Sequence, residues 1–281
     1  MTAVLTTIAQ LREARAAMTG RVVLVPTMGA LHDGHLALIR RAREIAGPDG
    51  SVVVSDFVNP LQFGPHEDFD AYPRDLDGDV ALVDGIADAV FAPSVEEMYP
   101  ILPPPVSVTT GHLGTVYEGA MRPGHFDGVA TVVLKLFMLV QPQIAVFGRK
   151  DAQQLAILQA MVASLDLPVV IEPMPLQRAA SGLALSSRNA YLSDEGRDRA
   201  LALSRTVAAV EAAAPSASGI LAALGSEKDA EGLTWDYADA VDPLTFVPIA
   251  PDHRGEVLVV MAARVEGTRL LDTTVVEATE A

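Results

Sequence analysis

Cysteine is absent from the 281 residues. Disulfides, thiolate metal sites and cysteine nucleophiles are therefore excluded. Aromatic residues make up 5% of the chain, with a single tryptophan, so the core must be aliphatic. No apolar run is long enough to cross a bilayer: the longest, Val129–Val140, is interrupted by Lys135. The segment Met1–Gly20 reads as a weakly amphipathic helix carrying Arg12 and Arg15, without the apolar block of a signal peptide. A cytoplasmic protein with no membrane partner is the expectation. Neither a Walker A sequence nor G-x-G-x-x-G occurs, which disfavours P-loop and dinucleotide sites. Positive charge is also in short supply: 20 Lys and Arg stand against 36 Asp and Glu, a net charge of −16. Nucleic acid is a poor partner for such a chain. An anionic ligand would have to be drawn in by local clusters of cations, and three are available: Arg122 with His125, Arg149 with Lys150, and Arg178 with Arg188.

Half of the residues are hydrophobic, ample for a packed core. Strands are expected at Arg21–Pro26, Ser51–Phe57, Ala89–Phe91, Ile144–Phe147 and Val169–Glu172. Helices are expected at Leu36–Ala46, Asp75–Ile86, Gly128–Val140 and Ala152–Leu165. Strands without polar alternation, joined by helices, indicate a parallel sheet covered on both faces, and right-handed crossovers make it doubly wound. Further on, Ser193 caps a helix running to about Ala214. A second helix falls between Pro215 and Gly232, and strands at Thr234–Val241, Gly255–Ala263 and Leu270–Val276 complete a smaller α+β domain. The expected boundaries are residues 1–176 and 177–281. The fold class is thus α/β, a Rossmann-like doubly wound sheet with a small α+β C-terminal domain.

In such sheets ligands collect at the carboxyl ends of the strands. There the chain places Pro26-Thr-Met-Gly-Ala-Leu-His-Asp-Gly-His35, with two imidazoles at a helix mouth where the dipole favours an anion. A zinc reading of His32 and His35 lacks a nearby third ligand. Gly148-Arg149-Lys150-Asp151 forms a second strand-to-helix junction, with Lys150 a point charge for phosphate. Leu185-Ser186-Ser187-Arg188-Asn189 adds hydroxyls and a guanidinium. Together these segments read as a nucleoside triphosphate site that activates a group by adenylylation. The carboxamides of Gln62, in Asn59–Phe63, and Gln154 suit a small hydroxy acid, or else satisfy backbone groups. The run Asp68, Asp70, Asp75, Asp77, Asp79 is mostly a solvated face, with Asp79 the member that could support Mg²⁺ bound to phosphates.

Taken in order, six blocks resemble the pantoate–β-alanine ligase (pantothenate synthetase) family: Pro26–His35, Phe57–Phe63, Asp70–Arg74, Arg122–Phe126, Phe147–Asp151 with Gln153-Gln154, and Leu185–Asn189. The resemblance spans nearly the whole chain and places it among nucleotidylyltransferases with an H-x-G-H signature. It implies a homodimer and the condensation of pantoate with β-alanine, with Mg-ATP split to AMP and pyrophosphate through a pantoyl adenylate. Carried over by motif, Pro26, Thr27, Met28, Gly29, Ala30, Leu31, His32, Asp33, Gly34, His35, Gly148, Arg149, Lys150, Asp151, Gln177, Leu185, Ser186, Ser187 and Arg188 line the ATP. His35, His32, Lys150 and Arg188 are its catalytic group, with His35 the usual proton donor. Gln62 and Gln154, with Asn59, Tyr72, Arg122 and His125, serve the substrates. The chain departs from the family's usual residues at Arg149 (Glu), Ala152 (Tyr), Ser181 (Asp) and Asp56 (apolar). Two alternatives stay open: an adenylylating enzyme for another small acid, and a non-catalytic nucleotide-binding paralogue.

Overall fold

The computed structural model of the chain describes residues 1–280 other than His66 and Asp68. Asp68, one member of the acidic run, therefore lies outside the described residues. The chain divides into two compact units: Met1–Gly148 with Gln153–Met174, and Arg149–Ala152 with Pro175–Ala281.

The first unit holds a six-stranded sheet of β1 (Ala3–Leu5), β2 (Val22–Thr27), β3 (Ser51–Asp56), β4 (Ala89–Phe91), β5 (Ile144–Gly148) and β6 (Val170–Met174). Its order is β1-β4-β3-β2-β5-β6 and every pairing is parallel. The helices are α1 (Ile8–Ala17), α2 (Asp33–Ala46), α3 (Leu76–Val83), α4 (Val95–Met98), α5 (Glu118–Met121), α6 (His125–Val140) and α7 (Ala152–Ser164). Alternate residues of β2 feed opposite faces. Val22 and Leu24 join a cluster with Leu11, Val133, Leu136 and Leu158, whereas Val23 and Val25 pack with Ile39, Ala42 and Val83. Both faces of the sheet are covered, which is why the strands read as unbroken apolar runs. Strand order reverses between β2 and β5, so the crevice outside their carboxyl ends is the switch point of the sheet.

The N-terminal segment corrects the sequence reading. It is not one helix: Ala3–Leu5 pair with Ala89–Phe91 as an edge strand, and the helix starts only at Ile8. Thr7 caps it through a reciprocal box with Gln10, which satisfies two first-turn donors.

The second unit carries α8 (Asp194–Ala213), α9 (Ala217–Ala223) and an antiparallel sheet of β7 (Leu233–Val241), β8 (Gly255–Val265) and β9 (Thr268–Ala278). Ser193 caps α8, accepting from Gly196 N. Glu266 and Gly267, both at positive φ, turn β8 into β9 with two residues, the geometry that matches strand twist. The expected fold class, a doubly wound sheet with a smaller α+β unit, is what the chain forms.

Arg178 also differs from expectation. Its two terminal nitrogens each lie 2.8 Å from an oxygen of Asp272, whose side chain is 1% exposed. The guanidinium is thus spent inside the second unit and is not a cation offered to a ligand. Truncation would strand a buried carboxylate. Arg178→Ala is expected to lower unfolding free energy by about 3 kcal/mol, read from urea denaturation at neutral pH. Lysine should recover only part of the loss because it cannot form the bidentate fork.

Candidate active site

The turn after β2 is fixed from below. Thr27 Oγ1 donates to Ser55 O at 2.6 Å and accepts from Gly29 N at 3.3 Å. Gly29 and Ala30 then both take positive φ, 76° and 49°. Leu31 N donates to Asp79 Oδ1 at 2.7 Å. A side-chain carbon at Gly29 would lie 2.4 Å from Asp56 Oδ1 and 3.1 Å from Asp79 Oδ2, so glycine is required both by the backbone angle and by the acids beneath it. Asp79 is 4% exposed and its Oδ2 has no hydrogen-bond partner. Burial, and next the charge of Asp79, push the Asp56 carboxyl up to about 6.

Helix α2 begins at Asp33, three residues before the expected start, because His32 caps it. His32 Nδ1 accepts from Gly34 N at 3.1 Å. That contact makes Nδ1 the lone-pair nitrogen and leaves the proton of the neutral ring on Nε2. His35 lies one turn on, its ring centroid 4.1 Å from that of His32. The two imidazoles therefore form a stacked pair at the positive end of a 14-residue helix. Among the described residues no third metal-binding side chain joins them.

Gln62 is tied to the same turn. Its Nε2 donates to Met28 Sδ at 3.1 Å, and its Oε1 accepts from Asn59 Nδ2 at 3.1 Å. Asn59 also donates to Gly128 O, and accepts from Leu61 N and Tyr99 Oη. Its amide, 1% exposed, is spent on holding the 3-10 turn Pro60–Gln62. Gly128 lets α6 press on that turn: a side-chain carbon there would meet Leu61 O at 2.3 Å.

Arg122 and His125 lie beside Gln62. His125 Nδ1 is 2.8 Å from Gln62 O, and Arg122 Nη2 donates to the same oxygen at 3.3 Å. Arg122 is simultaneously bidentate to Glu67, at 2.7 and 2.6 Å, and this pairing holds the Glu67 carboxyl below the usual range. The cation of this cluster is already matched by an acid that sequence reading did not single out. Tyr72 instead joins an edge-on aromatic group with Phe63, next to Phe69. On α7 the neighbouring glutamines diverge. Gln153 is buried and bonded to Leu113 O, Val116 O and Glu118 N, whereas Gln154 is half-buried.

The remaining donors belong to the second unit. Lys150, in the 3-10 turn Arg149–Asp151, donates to Ser186 Oγ at 3.5 Å. Ser186 caps the short helix Ser187–Tyr191, accepting from Arg188 N at 3.3 Å. Arg188 is exposed, and the side chain of Ser187 lies outside the description. Leu185 N donates to Gln177 O at 2.9 Å, bringing those two expected ATP contacts together. Lys150, Ser186 and Arg188 thus form one cluster, while His32, His35, Met28, Gln62 and Asn59 form another within the first unit.

A Rossmann-like sheet with its functional side chains gathered outside β2, and a capped helix in place of a glycine-rich loop, is the layout of an α/β nucleotide-dependent enzyme. Residues 3–275 match the Pantoate-beta-alanine ligase family model, and the chain belongs to that family. It is 53% identical to pantothenate synthetase of Leifsonia xyli subsp. xyli, over 91% of this chain and 89% of that protein. It is 54% identical to pantothenate synthetase of Acidothermus cellulolyticus, over 95% and 89%. Crystal structures agree. The pantothenate synthetase of Thermus thermophilus superposes with a TM-score of 0.87 at 45% identity, covering 97% of this chain and 99% of that one. The Francisella tularensis pantoate-beta-alanine ligase, complexed with beta-gamma ATP and beta-alanine, gives 0.79 at 28% identity, covering 98% and 97%. No helix of the described residues is long and apolar enough to cross a membrane.

Proposed function

We propose that this chain joins pantoate to β-alanine, forming pantothenate while ATP is split to AMP and pyrophosphate. The observation that carries the chemistry is the stacked His32–His35 pair at the mouth of α2, with Gln62 anchored to Met28 in the same turn. Pantoate's carboxylate attacks the α-phosphate of ATP and pyrophosphate leaves. β-Alanine's amine then attacks the acyl carbon of pantoyl adenylate and AMP leaves. The first nucleophile is ionised at neutral pH and needs no general base; it needs positioning and donors for the charge on phosphate. His32 presents Nε2–H, and His35 donates beside it and passes a proton to a phosphate oxygen. Lys150, Ser186, Ser187 and Arg188 supply further donors when the nucleotide binds. Gln62 and Gln154 hold pantoate, with β-alanine near Gln62. Asn59, Glu67, Arg122 and His125 serve by fixing the Gln62 turn.

Mg²⁺ enters with ATP and offsets phosphate charge. The acids under the turn fit such an ion, since Asp79 Oδ2 is buried without a partner and Gly29 leaves a cradle above it. Adenylate is a mixed anhydride that water destroys. We take residues 1–176 as the nucleotide and pantoate domain and 177–281 as a lid that shields the intermediate, in a cytoplasmic homodimer. X-ray scattering should register compaction when ATP and pantoate are added together; an unchanged radius of gyration would remove the lid. The decisive assay is AMP production from ATP, pantoate and β-alanine with each omitted in turn. AMP formation indifferent to pantoate would overturn the assignment.

A further inference from the structure

Asp56 is a buried acid that the steps above do not use. It ends β3, facing Asp79 from α3, and the two carboxylates converge under Gly29. Asp79 Oδ1 is occupied by Leu31 N–H, but Oδ2 is sealed from solvent without a partner. Pressing two anions together away from water is costly unless something positive lies between them. Asp56 also lines a cavity of about 290 Å³ at the ends of β3 and β4, with Arg74, Asp75 and Ser94 on its walls. The Arg74 guanidinium is engaged there by the carbonyls of Phe69 and Tyr72. Asp75 and Ser94 cap helices. Asp56 is thus the acid through which a small ion entering the cavity would reach the pair.

We propose that Asp56 and Asp79 together form a divalent-cation site that fills before nucleotide arrives. Two carboxylate oxygens take adjacent positions on a hard cation, and water or phosphate oxygens take the rest, the mixed coordination Mg²⁺ favours. The site lies beneath the turn assigned to ATP, and in that respect it rests on the proposed function. Its test does not, because it uses no nucleotide.

Mn²⁺ is titrated into the full chain without ATP and free Mn²⁺ is followed by electron paramagnetic resonance. One ion should bind more tightly than the acidic surface holds it, and Mg²⁺ should displace it. Asp56→Asn should weaken that ion about tenfold or more, while the melting temperature stays level or rises, because a like-charge contact has gone. Asp79→Asn is a poorer probe, since it also perturbs Leu31 N–H. Equal Mn²⁺ uptake by wild type and Asp56→Asn would overturn the site. So would the lack of any ion bound above the surface level, the result if the pair simply shares a proton. Calorimetry with ATP on the same samples separates the two readings. Mn²⁺ bound in a protein that does not bind ATP upholds the cation site and removes the nucleotide assignment.

Discussion

His35→Ala should reduce ATP–pyrophosphate exchange by about 10²–10³-fold, the range for losing one preorganised donor to a developing oxyanion. The barrier of the first half-reaction is charge gathering on the α-phosphate as pantoate's carboxylate arrives. A donor at the positive end of α2 acts on that charge more strongly than on bound ATP, so kcat should fall further than KM rises. His32 provides the internal control. It both caps α2 and presents Nε2–H, and alanine there would remove the two functions at once. His32→Asn keeps an acceptor for Gly34 N, preserving the cap, and removes only the imidazole donor. If His35 acts in adenylate formation alone, the alanine variant should still convert supplied pantoyl adenylate and β-alanine to pantothenate. Pyrophosphate release at the wild-type rate in His35→Ala would end this role.

The sheet was legible because its strands are buried on both faces. Val22–Val25 and Val52–Val54 contain no polar alternation, and nothing but a covered parallel strand suits them at that length. β1 was not legible for the opposite reason. Ala3 and Val4 are exposed at the sheet edge, and three residues are too few to outweigh the helical spacing that follows. Helix starts slipped where the cap was unusual. Histidine is not among the ordinary N-cap residues, and α6 begins at His125 behind Gly124 at φ 82°, so apolar periodicity placed both helices three residues late.

The histidines, Gln62, Lys150 and the serine–arginine segment were readable as motifs because each lies in a short local block. What escaped is pairwise and distant. Glu67 meets Arg122 across 55 residues, and Arg178 meets Asp272 across 94. No spacing rule links such partners. Cations that looked available to a ligand in the sequence are therefore matched by acids in the fold. The same holds for Asp56, legible only as an oddity at the end of a strand until α3 brings Asp79 against it.

That matching raises the expected effect of Lys150→Ala, a loss of about 10²–10³-fold in pyrophosphate exchange. The chain carries a net charge of −16 and must still bind a polyanion. Arg122 is bidentate to Glu67 and Arg178 to Asp272, which leaves the phosphate charge to Lys150 with its neighbours Arg149 and Arg188. At 4 Å a unit charge contributes about 4 kcal/mol at an effective dielectric constant of 20, more than a neutral hydroxyl such as Ser186 can supply. Lys150 also donates to Ser186 Oγ, the oxygen that caps the Arg188 segment, so its loss should loosen the second donor as well as remove the first. Lys150→Arg should restore part of the rate, because the charge returns on a planar fork of different reach. Arg188→Ala should then add little to Lys150→Ala if the two act as one unit, since residues that share a task lose activity non-additively. Pyrophosphate exchange at the wild-type rate in Lys150→Ala, with an unchanged KM for ATP, would mean that the triphosphate is neutralised without this cluster.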